Sequence, residues 1–206
     1  MKEDFGSLKL ANETDTWFKA KEPGDYQMRI VSDYHKVDKW WAGKDGEWAG
    51  QKIESGRPYL YSPEDKEGVP MDLVQIKTLK DKDGNEYDKL SVNNGYAWLV
   101  INRKDNRIQV WEVFQKGILK DLQKFSRIKK NLTGYDITLT REGTGMQTRW
   151  SVTALDTKAL SKEDKVLVEE NEIELEEVFK RDAFNDKAKI DRLKPQVKND
   201  KDDIPF

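Results

Sequence analysis

Tyr96-Ala97-Trp98-Leu99-Val100-Ile101-Asn102, then Lys104-Asp105-Asn106, then Arg107-Ile108-Gln109-Val110-Trp111-Glu112-Val113-Phe114 is the stretch that decides the fold. Both flanking runs are rich in β-branched and aromatic residues, which suit a pleated, half-buried surface. The polar segment between them is short enough for a hairpin loop. Working outward, Asp25 to Ser32 and Thr16 to Lys19 read as strands separated by the turn signal Pro23-Gly24. Downstream, Gly117 to Arg127 fits a short helix with Ile118, Leu119, Leu122 and Phe125 on one side. Tyr135 to Arg141 alternates as a strand, Glu142-Gly143-Thr144-Gly145 turns it, and Thr148 to Ala154 returns antiparallel.

Five or more antiparallel strands with one helix inserted late predict a mainly β protein. The expected architecture is a small closed barrel of the oligonucleotide-binding (OB) type, and a plain β-sandwich is the second one the pattern allows. Residues 36–70 interrupt the order with an aromatic-studded, turn-rich excursion of no clear period. Val74 and Ile76 are compatible with a further strand, and Asp83-Gly84-Asn85 reads as a turn. From Ser161 the pattern changes to one or two charged helices ending before Pro195. Ser161 is the expected cap and Asp164 stands at the capping-box position. The expected organisation is a flexible N-terminus over 1–15, the barrel over 16–160, an acidic helical segment over 161–194 and a disordered acidic tail over 195–206.

Charge is distributed unevenly. The net charge of −2 hides a basic segment, residues 96–150, with 11 basic and 5 acidic side chains. Residues 161–206 carry 10 basic against 14 acidic, and Glu163 to Glu177 hold eight carboxylates and one Lys. Such a stretch is either an ordinary solvated helix face or a mimic of a nucleic-acid backbone that covers a basic groove. The chain has no Cys and a single His, His35, so a thiolate metal site is excluded and no metal or cofactor is expected. No apolar run approaches the ~20 residues that span a membrane. The first residues, Met1-Lys2-Glu3-Asp4, are acidic where a signal peptide is basic, so a soluble intracellular protein is expected.

The sequence closes on Asp202-Asp203-Ile204-Pro205-Phe206. This run resembles the acidic tip of bacterial single-stranded DNA-binding proteins, which ends Asp-Asp-Asp-Ile-Pro-Phe; Lys201 replaces the first Asp of that run. The ring of Phe206 and its own α-carboxylate suit a pocket beside an Arg or Lys, and Pro205 lowers the ordering cost on docking. The resemblance implies recruitment of replication and repair proteins through these five residues. The hairpin Gly134-Tyr135-Asp136-Ile137-Thr138-Leu139-Thr140-Arg141-Glu142-Gly143 followed by Thr148-Arg149-Trp150-Ser151-Val152 resembles phage single-stranded DNA-binding proteins related to the T-even helix-destabilising protein. That likeness implies an OB fold, a regulatory acidic C-terminus and service in replication, recombination and repair in the cytoplasm of an infected bacterial host. The zinc site of the T-even type is absent here, so the excursion over 36–70 is expected to be held by aromatic packing.

Aromatic and basic residues interleave along the chain, and a bare strand exposes base faces and phosphates together. Rings stack on the former and cations line the latter without reading sequence. The candidate stacking residues are Tyr34, Trp40, Trp41, Trp48, Tyr59, Tyr61, Trp98 and Trp111. The candidate phosphate ligands are Lys36, Lys39, Lys44, Arg57, Arg103, Lys104, Arg107, Arg127, Lys129, Lys130, Arg141 and Arg149. Trp17, Trp150 and Tyr135 sit in strand patterns and read as core. Adjacent Trp40 and Trp41 point to opposite faces if they share a strand, so one of them is the better surface ring. No phosphate-cradling Gly-rich loop occurs, and a Ser/His/Asp triad has only His35, read as a surface histidine, to draw on. The expectation is a non-enzymatic single-stranded DNA-binding protein. The alternatives are a DNA-processing enzyme such as a magnesium-dependent nuclease, or an adaptor that binds only protein.

Overall fold

The computed structural model describes residues 17–48, 50–61, 68–171 and 173–179. The expected flexible N-terminus, residues 172 and 180–194 of the C-terminal helical segment and the tip Asp202 to Phe206 lie outside them. In chain order the strands are β1 (Gly24–Ile30), β2 (His35–Trp41), β3 (Gly46–Trp48), β4 (Gln51–Ile53), β5 (Pro58–Tyr61), β6 (Ile76–Lys80), β7 (Glu86–Leu90), β8 (Val92–Asn102), β9 (Arg107–Val113), β10 (Tyr135–Glu142) and β11 (Arg149–Thr157). Helix α1 (Lys116–Lys129) lies between β9 and β10, and α2 (Lys162–Glu170) and α3 (Leu175–Val178) follow β11. The Ser161–Asp164 capping box forms as the sequence predicts. No helix among the described residues is long and apolar enough to cross a membrane.

Seven strands make one antiparallel sheet in the order β11-β10-β1-β8-β2-β5, with β9 on the other edge of β8. Strand β8 is the longest, at 11 residues. Along one edge it pairs first with β2 (Trp40↔Val92 to His35↔Ala97) and then with β1 (Ile30↔Val100 to Met28↔Asn102). The chain turns between the two at Ser32, whose hydroxyl accepts the Leu99 backbone N–H at 2.9 Å. A side-chain oxygen thus replaces a ladder acceptor where the strand bends.

The expected closed barrel is not what the sheet forms. No ladder joins β9 to β11 among the described residues; each edge is covered by something other than a strand. The edge of β9 carries the isolated parallel bridge Trp17↔Val110, with Phe18 N–H donating to the Val110 carbonyl at 2.9 Å. Residues 17–19, expected as a strand, contribute no more than this bridge. On β11, α1 supplies side chains: Asp121 accepts from Val152 N–H at 3.2 Å, and Lys129 Nζ donates to the Leu155 carbonyl at 2.7 Å. Covering an edge with a helix removes its unpaired backbone groups from solvent.

Three apolar clusters hold the sheet. The first fills one face with Met28, Ile30, Trp98, Val100, Trp111, Tyr135, Ile137 and Leu139, and Ile118 and Leu122 of α1 plug it. The second lies on the opposite face, where Leu175, Val178 and Phe179 pack on Val37, Ala97, Leu99 and Val110. The third is the 36–70 excursion, in which Trp40, Trp48, Ile53, Tyr61 and Leu73 bury one another; the Trp40 and Tyr59 rings stack at 5.0 Å.

A polar clamp joins four elements. Arg29 on β1 is buried and donates to the carbonyls of Thr133 (2.8 Å) and Lys158 (2.7 Å) and to Asp136 on β10 (3.2 Å). Arg103, in the β8–β9 turn, donates to both oxygens of Asp136 (2.8 and 3.0 Å) and both of Asp164 on α2 (2.6 and 3.2 Å). Burial pushes the Asp136 carboxyl up, but Arg103 and then Arg29 outweigh it and leave it below its ordinary value of 3.8. Hydrogen bonds from Arg103 likewise hold Asp164 below that value.

Removing Asp136 leaves buried Arg29 with no anionic partner and Arg103 with Asp164 alone, and Asp136→Ala should cost about 3–5 kcal/mol in urea unfolding. Because both carboxylates are depressed in the folded state, their contribution is complete above about pH 5 and lost as pH falls through the folded values. The unfolding midpoint should therefore drop between pH 7 and pH 3, and drop less in Asp136→Asn. Equal pH slopes for the two proteins would contradict this account.

Candidate nucleic-acid interface

Helix α1 is built on two faces. Ile118, Leu119, Leu122 and Phe125 turn to the first cluster. On the solvent side Lys116, Lys120, Lys124 and Arg127 are exposed, at spacings of 4, 4 and 3 residues. That spacing places them in one stripe, about 16 Å long at the helical rise. Lys130 follows, also exposed, as the left-handed C-cap at φ 66°.

Helix stability does not account for the stripe. Like charges four residues apart are mutually destabilising, and the stripe contains two such pairs. Lys116 and Lys120 also lie in the amino-terminal half, where the macrodipole disfavours cations, and the first turn holds no acidic residue. The helix has one carboxylate, Asp121, and it is committed to the backbone of β11. The field at the start of α1 is therefore positive from side chains and backbone together.

Beside this field runs a groove of about 470 Å³ between α1 and the sheet. Tyr34, Tyr96 and Trp98 form its sheet wall, and Lys116, Lys120 and Gln123 rim its helix wall. Tyr34 is 58% exposed and meets Tyr96 edge to face at 5.4 Å. Tyr96 meets Trp98 at 6.0 Å, and Trp98 meets Trp111 at 5.9 Å. The exposed ring is thus the outer end of an aromatic chain rooted in the core, which holds it in place without burying it. Flat rings beside a row of cations can take base faces and phosphates at once.

The other sequence candidates scatter. Trp40, Trp48, Tyr61, Trp98 and Trp111 are buried and belong to cores, correcting their reading as surface rings. Trp40 points inward and its neighbour Trp41 is half-buried, as alternation along β2 requires. Tyr59 is half-buried, stacked on Trp40, and its hydroxyl accepts from Glu54 N–H at 2.7 Å. Several cations are committed elsewhere. Arg103 belongs to the clamp. Lys39 lies 4.4 Å from the Phe114 ring centroid and 3.8 Å from Glu112. This stack needs Gly95, where a Cβ would come within 2.4 Å of the Phe114 ring. Arg57 pairs with Glu54 at 2.9 Å and Lys44 with Asp72 at 3.7 Å. Lys129 is held by the Leu155 carbonyl and the Tyr135 ring. Arg141 donates to the carbonyls of Ala20 and Lys21 and lies over Trp150.

Of the predicted cations, Lys36, Lys104, Arg107, Arg127, Lys130 and Arg149 are exposed, as are the surface-paired Lys44 and Arg57. Lys104 lines a second, more polar depression with Lys19, Lys21 and Tyr26, where Asp25 and Asp105 offset the positive charge. Lys116, Lys120, Lys124 and Tyr96 line this site without being among the residues predicted from sequence. Their signal was available in the helical spacing of the three lysines.

The opposite face of the sheet is closed by the acidic segment. Phe179 stacks on His35 at 5.5 Å with planes 7° apart and meets Trp17 edge-on at 5.8 Å. His35, expected at the surface, is half-buried there. The segment docks through apolar side chains and through Asp164 on Arg103.

Comparison with protein-family models, with curated proteins and with solved structures finds no match to this chain.

Thermal unfolding separates site rings from core rings. Tyr34→Ala should change stability by no more than about 0.5 kcal/mol, as for other surface substitutions. Trp98→Ala should cost about 3–5 kcal/mol through its cavity. A large loss in Tyr34→Ala would show that the ring is structural.

Proposed function

We propose that this chain is a non-enzymatic, sequence-nonspecific single-stranded DNA-binding protein. The observation that carries the reading is the cation stripe of α1 beside the Tyr34–Tyr96 groove. Four exposed cations in a row are costly to the helix, and their cost is offset when a polyanion lies along them. An exposed ring anchored at the groove mouth offers stacking worth about 1–3 kcal/mol per base. No base-specific reader is needed for either contact.

The strand order supports an open variant of the OB architecture. A long bent strand (β1 with β2) pairs with β8, β8 turns into β9, α1 follows, and β10 and β11 return to β1. The proposed setting is that of a phage protein of replication, recombination and repair in the cytoplasm of an infected bacterial host. It rests on the hairpin and tip resemblances of the sequence. In that setting the acidic segment over the opposite sheet face takes the place of the regulatory acidic C-terminus.

Titration with oligo(dT), followed by tryptophan fluorescence, tests the reading. If about five phosphates are neutralised, the log–log salt slope should be near −3.5, and affinity should fall roughly a hundredfold between 50 and 200 mM salt. Replacing Lys116, Lys120 and Lys124 together by Ala should reduce that slope by about 2. Duplex of the same length should bind more weakly. An unchanged spectrum at low salt, with no shift in an electrophoretic assay, would refute the proposal. Strand cleavage in Mg²⁺ would favour a nuclease instead.

Deleting residues 201–206 should abolish capture of replication and repair proteins while affinity for oligo(dT) stays equal or rises. A fall in strand affinity would contradict the assignment of the tip to partner docking.

A further inference from the structure

Strands β6 and β7 form a two-stranded ribbon apart from the main sheet. All of β6 is exposed, and in β7 only Leu90 is half-buried. A bare ribbon is marginal in water, so its order must come from its ends. At the root, Gln75 N–H donates to the Trp41 carbonyl (2.7 Å), Ser91 N–H to Gln75 (2.8 Å) and Trp41 N–H to Ser91 (3.2 Å). At the tip, the Asp81 carboxylate accepts from the backbone of Asp83 and Asn85 (both 2.9 Å) and from Asn85 Nδ2 (3.1 Å). Those bonds from Asn85 lower the Asp81 carboxyl below its ordinary value.

The two faces of the ribbon differ. Cross-strand partners share a face, and successive residues alternate. One face carries Thr78 opposite Asp88, bonded at 2.8 Å, and Lys80 opposite Glu86, paired at 3.3 Å. Its polar groups are matched. The other face carries Lys77 opposite Lys89 and Leu79 opposite Tyr87. Like charges directly opposite are destabilising. Tyr87 is 48% exposed, and the Lys77 ammonium lies 5.8 Å from the ring centroid of half-buried Trp41. The face therefore presents a ring, two cations and a second ring in succession, over a ribbon about 16 Å long.

The geometry points to this face as a second contact for single-stranded DNA. One phosphate sits between Lys77 and Lys89, with bases against Tyr87 on one side and Trp41 on the other. An acidic peptide would satisfy the lysines and leave the rings without a flat partner. A duplex would meet the lysines and keep its bases stacked away from the rings. An unpaired strand supplies both chemistries in the order in which the ribbon displays them. The inference rests on the single-strand reading above and adds an arm to it, remote in sequence from α1.

The test uses the full chain with Lys77→Ala and Lys89→Ala combined, and separately Tyr87→Ala, titrated with oligo(dT). The double variant should lose about 0.7 from the log–log salt slope, one phosphate's share, and about tenfold in affinity at low salt. Its melting temperature should hold or rise, because a repulsive pair has been removed. Tyr87→Ala should weaken binding and leave the slope unchanged. Wild-type affinity and slope in the double variant would overturn the inference while leaving the α1 reading intact. Failure of the wild-type chain itself to bind oligo(dT) would overturn both. Binding of poly-glutamate that the double variant loses, with oligo(dT) binding unaffected, would assign the face to an acidic protein instead.

Discussion

A single carboxylate sits where four parts of the molecule meet. Asp136 takes hydrogen bonds from Arg29 and Arg103, and Arg103 reaches on to Asp164. Strand β1 pairs with both β8 and β10 and so seats the β8–β9 turn beside β10, but no ladder among the described residues ties the C-terminal helices to the sheet. The clamp does. Charges this poorly exposed are favourable only when their geometry is complete, because desolvation opposes them. Here each oxygen of both carboxylates has a donor within 3.2 Å, and Arg29 adds two backbone carbonyls.

Helix α1 is seated on this sheet by two sets of contacts. Its apolar side plugs the first core, and its side chains cover the edge of β11. The remaining surface is then directed outward, and it is the surface that carries the lysines. The groove follows from the same constraint, since a helix laid on the sheet leaves a cleft along β8. Tyr34 reaches that cleft because the chain turns at Ser32, between β1 and β2. The site thus depends on the bend in one strand and on the seat of one helix.

Much of the fold was legible from local pattern. The central hairpin, the β10–β11 hairpin, α1 and the capping box at Ser161 each announce themselves in one contiguous run of sequence. What escaped was set by distant partners. Strand closure depends on the register between β9 and β11, which no local signal encodes. Whether a cation is available depends on carboxylates far along the chain: Arg103 meets Asp136 at a separation of 33 residues and Asp164 at 61. Trp40 and Trp48 look like surface rings because their segment has no period, yet they bury each other in a small core of their own, while Trp41 stays half-buried. The lysine stripe was legible in principle, because 4-4-3 spacing on an amphipathic helix is a local pattern.

Strand β8 lies beneath all three apolar clusters. Trp98 and Val100 face the first, Ala97 and Leu99 the second, and Val92 packs against the third. A molecule organised around one shared beam has no independent compartments to lose: when β8 lets go, every core is opened together. Denaturation should therefore be a single cooperative event despite the three separate cores. A protease that nicks the exposed ribbon between β6 and β7 meets none of that cooperativity and leaves the beam intact.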